Sequence, residues 1–255
     1  MSNIKNNIKL LVFLMSLIAI GIIKAEEEIV KAEIEEAEEV KEYIKDLVKD
    51  FSLFEGFFKA YQDPETSDIY LVIEEKQLNK EFIYFAHVID GVVASRRNKG
   101  SYLDNGIFKI EKYFNTLRLS RINTSYTLNK DTALSRSSGA NISDSVLSSL
   151  PIKATNEEET SFLVNVTSLF LSEDLTPIKP ASRPSSEDSF RWGQISPAKS
   201  RIERVLNYPE NTDFEVELVI ENAPSPDYEE EDAVDPRNIS IKMRYSFIGM
   251  PENNF

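Results

Sequence analysis

Four stretches of this chain alternate apolar and polar residues with a period of two: IFKIEKYF (residues 107–114), LRLSRI (117–122), FEVELVIE (214–221) and ISIKMRYSFI (239–248). That period puts one face of a strand in a core and the other in water, whereas helical apolar residues recur every three or four positions. Aromatic and β-branched runs at residues 57–61, 69–74, 82–89, 162–166 and 200–208 read as further strands. Asp63-Pro64-Glu65-Thr66 forms a turn between the first two, because proline fixes φ and aspartate accepts local hydrogen bonds. The long crossover helices that parallel strands need are missing between these runs, so antiparallel meanders are expected. The expected fold class is α+β, mostly antiparallel sheet, and both a sandwich and a curved open sheet satisfy the pattern.

Helix is expected at two places. Residues 26–50 carry apolar side chains at Val30, Ile34, Ala37, Val40, Ile44, Leu47 and Val48 among many charges. This is an acidic amphipathic helix, and docking of its stripe on the body or on a partner is favoured over a coiled coil, which needs three to four heptads. Residues 141–150 read as a short internal helix, with Ser143 as cap and Pro151 as stop. Residues 168–172 suggest one helical turn. Residues 95–100 (SRRNKG) read as a flexible basic loop, and residues 171–197, with Pro177, Pro180, Pro184 and Pro197, as a Pro/Ser-rich surface loop.

The N-terminus has the order of a secretory signal. Lys5 and Lys9 precede a 14-residue uncharged run at residues 10–23, and Lys24-Ala25 leads into Glu26-Glu27-Glu28. The run is short of the ~20 residues that span a bilayer. Residues 1–25 are therefore expected to be cleaved, leaving a β-rich domain at 51–255 behind the acidic helix, periplasmic or secreted, with no stable membrane span. The whole chain has a net charge of −14, the wrong sign for nucleic acid, whose phosphates need Lys and Arg. With no cysteine, stability must come from a hydrophobic core.

Catalytic chemistry is sparse. His87 is the one histidine, in the strand FIYFAHVID, where it shares a face with Phe85 and Ile89. A role as sheet residue is favoured over general base or metal ligand, because a zinc site needs two or three His or Cys ligands. The acidic clusters Glu26–Glu28, 157–159 and 229–232 include no Asp-x-Asp-x-Asp-Gly calcium loop and read as solvated charge. There is no phosphate loop and no G-x-S-x-G elbow around Ser137-Ser138-Gly139. Asn123, Asn141, Asn165 and Asn238 match the short glycan-acceptor pattern, which is read as chance. Trp192 is expected to pin its loop to the core. No catalytic, cofactor-binding or metal-binding residue is assigned.

Several segments in order resemble a known family. FEGFFKAY (54–61) with IYLVI (69–73), LNKEFIY (78–84), SVLSSLPI (145–152), VNVTSLF (164–170), KSRI (199–202), YPEN (208–211) and the strand running to Gly249-Met250-Pro251 are similar to the N-terminal region of large exported bacterial zinc-dependent metalloproteases of the HExxH type. In that family two domains of unknown function precede the catalytic one. The likeness spans about Phe51 to Pro251, with departures: Asn165 stands where the family tends to have Asp, Lys199 where it has Arg, and Gly249-Met250 where Leu is usual.

The resemblance implies a truncated, non-catalytic module, since no His-Glu-x-x-His occurs here. Zinc is expected only in the missing catalytic domain, and the expected partner is a separately encoded metallopeptidase domain or another periplasmic protein. A stand-alone periplasmic module that binds or scaffolds a peptide, protein or polysaccharide is the alternative. If a further strand is missing after residue 251, the final strand is expected to leave an unpaired edge.

Overall fold

The computed structural model describes residues 43–93, 95–126, 143–179, 192–221, 235 and 237–251. The chain divides into Met1–Lys41 and Glu42–Phe255, and only the second contains described residues. The signal segment and most of the acidic helix therefore lie outside them.

Twelve strands build one sheet. They are β1 (Ser52–Phe54), β2 (Lys59–Gln62), β3 (Ile69–Glu74), β4 (Glu81–Asp90), β5 (Tyr102–Tyr113), β6 (Thr116–Arg121), β7 (Ser145–Thr155), β8 (Ser161–Asn165), β9 (Gln194–Ile195), β10 (Arg201–Tyr208), β11 (Asn211–Glu221) and β12 (Ile239–Gly249). Their order is β1-β2-β3-β8-β7-β6-β5-β4-β12-β11-β10, with β9 added to β11. Every pair of strands is antiparallel. The two α-helices among the described residues, α1 (Ile44–Leu47) and α2 (Thr167–Phe170), are single turns.

The segment read as a short helix at 141–150 is instead the first half of β7. Long-range pairing with β6 overrides the local cap-and-stop signals, and Pro151 sits inside the strand opposite Thr116. β7 also turns the sheet's corner. Residues 145–151 pair with β6, residues 152–155 pair with β8, and a bulge lies at the changeover; such an insertion bends a strand.

The sheet is rolled so that its two ends meet. Phe57 N donates to Tyr208 O at 2.7 Å. Asn207 Nδ2 donates to Phe54 O at 2.8 Å and to Phe58 O at 2.7 Å. Neither a two-layer sandwich nor an open sheet describes this; closing the ends removes most of the edge that would invite aggregation. The expected unpaired edge at the final strand is not found, because β12 lies between β11 and β4.

Inward residues of β2 to β8 and β10 to β12 join one core. Along β4 the buried side chains are Phe82, Tyr84, Ala86 and Val88, every second residue. The middle of the core is aromatic, with Tyr84 stacked on Phe108 at 4.4 Å. The first part of the supposed surface loop belongs to this core as well: Leu175, Thr176 and Ile178 are buried. Thr176 Oγ1 hydrogen-bonds the fully buried Tyr84 hydroxyl, whose ionisation burial pushes far up. Arg97 Nε donates to Ile178 O at 2.6 Å, so the basic loop is tied down rather than free. On the outer face of β3, β8 and β7, Ile44 and Val48 pack against Val72, Ala154 and Leu163. Of the stripe expected along residues 26–50, Ile44, Leu47 and Val48 pack here, the helical turn ends at Leu47, and residues 26–42 lie outside the described residues.

Candidate functional site

The outer face of β10, β11, β12, β4 and β5 carries a row of polar side chains in register: Arg204, Glu215, Arg244, His87 and Tyr102. Alternation explains the row, since each strand's other face is in the core. Glu215 is buried and is contacted by Arg244 Nη2 and, at 3.5 Å, by Arg204 Nη1. His87 lies on this wet face with Phe85, 5.6 Å between ring centroids. Its Nδ1 and the neighbouring Arg244 Nε are enclosed without a hydrogen-bond partner. Desolvation, then the Arg244 charge, hold the imidazole below its ordinary pKa, and Asp213 opposes them weakly. Among the described residues no three His, Asp or Glu side chains converge as a metal site.

A pH dependence follows. The folded protein keeps His87 neutral, so as pH falls below ~6.5 the unfolded chain takes up the proton first. The stability that His87 contributes is present above that value and is lost as pH falls through it. Between about pH 7.5 and 5.5 the Tm of the wild type is expected to fall further than that of His87→Gln; parallel declines in scanning calorimetry would refute this.

A second feature lies where β7 leaves β6 for β8. A groove of about 700 Å³ runs there between Ser148, Ser149, Leu150 and Pro151 on one wall and the start of α2 on the other. The α2 wall is fixed by Asn165-Val166-Thr167. Asn165 Oδ1 accepts from Thr167 N at 2.9 Å, and its Nδ2 donates to Asp68 Oδ2 at 3.0 Å. Thr167 Oγ1 accepts from Ile69 N at 2.9 Å. The amide at 165 gives Asp68 a donor, where a second carboxylate would repel it. Asn165 is thus occupied and half-buried, not offered as a glycan acceptor.

The remaining candidates resolve as structure. Trp192 packs against the core, as expected. Asn123 Oδ1 accepts from Ser125 N, and Asn238 bonds Asp235 and Lys199. Of the acidic clusters, Glu157 pairs with Lys45 and Glu158 accepts from Asn156. The other two clusters, Ser137-Ser138-Gly139 and Asn141 lie outside the described residues. Reading the sequence missed the groove, because it exists only where one strand serves two neighbours, and reading 141–150 as helix hid that strand. No helix among the described residues is long and apolar enough to cross a membrane.

No curated protein and no solved structure matches this sequence. A family model described as a domain of unknown function (DUF5117) matches residues 100–255. The match covers all of β5 and everything after it. In the sheet, however, β4 sits between β5 and β12, and β1 to β3 complete the far side. The folded unit therefore reaches well upstream of the matched segment, and with more than half of its length covered the chain belongs to the DUF5117 family.

Proposed function

We propose that this chain is a non-catalytic module of an exported, zinc-metalloprotease-like protein, and that it holds a partner polypeptide rather than cutting one. One observation carries the reading: the one imidazole in the sequence stands on the outer face of a sheet, with no second histidine and no cysteine to join it. A tetrahedral zinc site needs more nitrogen or sulfur ligands than that. The placement of the family-like segments gives further support. FEGFFKAY and YPEN meet where the sheet closes, through Phe57 N and Tyr208 O, and SVLSSLPI and VNVTSLF line the groove. Those segments build a scaffold and a surface. The Lys5, Lys9 and residue 10–23 pattern supports export.

The test is zinc content and proteolysis. The purified full chain is expected to retain far less than one zinc per molecule after dialysis and to leave casein intact. Stoichiometric zinc with chelator-sensitive cleavage would overturn the proposal. The groove favours one second reading, a stand-alone periplasmic module for a peptide, protein or polysaccharide. Co-purification of the chain with a metallopeptidase domain from its own cells separates the two.

A further inference from the structure

We propose that the free edge of β7 is a docking strand for an extended, positively charged polypeptide segment, which adds to the sheet along residues 145–151. Among the described residues β7 pairs over that stretch with β6 on one side only, and β8 begins to pair at Ile152. At ~3.3 Å per residue the open edge is about 20 Å long. Its main-chain direction is fixed by one bond: Ile152 N donates to Asn115 O at 3.0 Å. Ile152 and, by the two-residue period, Leu150 turn their main-chain groups to β6, so Ser149 and Pro151 turn theirs outward. Pro151 fits because the N–H it lacks would point away from the ladder. Consecutive residues from Ser148 to Pro151 all line the groove; side chains on one face would appear only at alternate positions, so the groove runs along the edge.

The lining selects the occupant. Among the described residues no aromatic side chain borders the groove, so the apolar face of a sugar ring has nothing there to stack on. An unpaired strand edge is matched by another main chain, which bonds the outward Ser149 N–H and C=O; the Pro151 C=O is turned to Asn165 at the start of the β8 pairing. Asp68 and Asp174 face Lys153 alone among the groove's charges, within a chain of net charge −14. Complementarity therefore asks for a basic segment. This deepens the reading of the chain as an interaction module and names the chemistry of its partner; its failure would leave the zinc and proteolysis result untouched.

Fluorescence anisotropy with the full chain tests it, using a labelled octapeptide of alternating Val and Thr with Lys at both ends. Saturable binding is expected, weakened at least about tenfold when alternate peptide amides are N-methylated or Lys is replaced by Glu. Ser149→Pro removes the outward N–H without touching a β6 bond and is expected to weaken binding by about as much. Ser168→Trp fills the groove from an exposed position on the opposite wall, so it is expected to abolish binding at unchanged Tm even if Ser149→Pro does not fold. No saturable binding, or binding indifferent to N-methylation and to Ser168→Trp, would overturn the proposal, and so would equal affinity for the acidic peptide.

Discussion

Replacing Gly56 by alanine is expected to lower the Tm by about 10 °C, roughly 3–5 kcal/mol for a domain of this size. A methyl group at residue 56 would lie 1.9 Å from Asn207 Oδ1, 2.3 Å from its Cγ and 2.8 Å from the main-chain N of Tyr208. The Tyr208 backbone cannot rotate away. Asn207 could, but its amide closes the sheet: it donates to Phe54 O and Phe58 O and accepts from Thr212 Oγ1 at 2.6 Å. Thr212 Oγ1 in turn accepts from Phe58 N at 3.0 Å. Moving Asn207 strands two carbonyls and a buried hydroxyl, at about 1–3 kcal/mol for each group left unsatisfied. The two residues should therefore be coupled. Asn207→Ala alone costs about 2–3 kcal/mol, and in its background Gly56→Ala should cost clearly less than alone. Strictly additive losses, or a Gly56→Ala protein with wild-type Tm, would show that the ends of the sheet are not locked here.

That junction also shows what the sequence can and cannot disclose. FEVELVIE and ISIKMRYSFI were legible as strands because one face of each is in the core, and both are strands from end to end. The same alternation put His87 and Phe85 on one face, and they share the outer one. The contact of Gly56 with Asn207, roughly 150 residues apart, leaves no local mark. In SDSVLSSLP the apolar residues Val146, Leu147 and Leu150 fit a helix as well as an edge strand, and only pairing with β6 decides. With that strand misread, the edge beside it could not be seen, and the candidate groove went with it. The Pro/Ser composition of 171–197 concealed Leu175 and Ile178, whose burial depends on a tyrosine hydroxyl from β4 waiting for Thr176. Composition reports solvent preference on average; it does not report which loop fills an opening in a rolled sheet.

The helical turn α2, just before that filling segment, gives the second large effect. Phe170→Ala is expected to cost about 3–5 kcal/mol and to lower the Tm by about 10 °C. Phe170 is fully buried, 4.3 Å from the Phe214 ring and 5.6 Å from the Tyr245 ring, measured between centroids. It joins α2 to the strands on the opposite side of the core, β11 and β12. Rings and rolled strands hold each other in place, so the space left by a deleted ring cannot be closed by moving one element. A void of about 30 Å³, lined only by apolar side chains including Leu169 and Phe247, already lies in the same core. The new cavity would add to the empty volume of the core, and the penalty grows with residual volume. Phe170→Leu keeps much of that volume and should cost less than half as much. The cavity predicts a gain of function too: a space walled by Phe214, Tyr245 and Phe247 stays dry and should take up a small apolar solute such as benzene. Benzene should then raise the Tm of Phe170→Ala and leave the wild type unchanged. If Phe170→Ala melts with the wild type, residues 166–179 lie on the sheet without supporting it, and α2 is not part of the core.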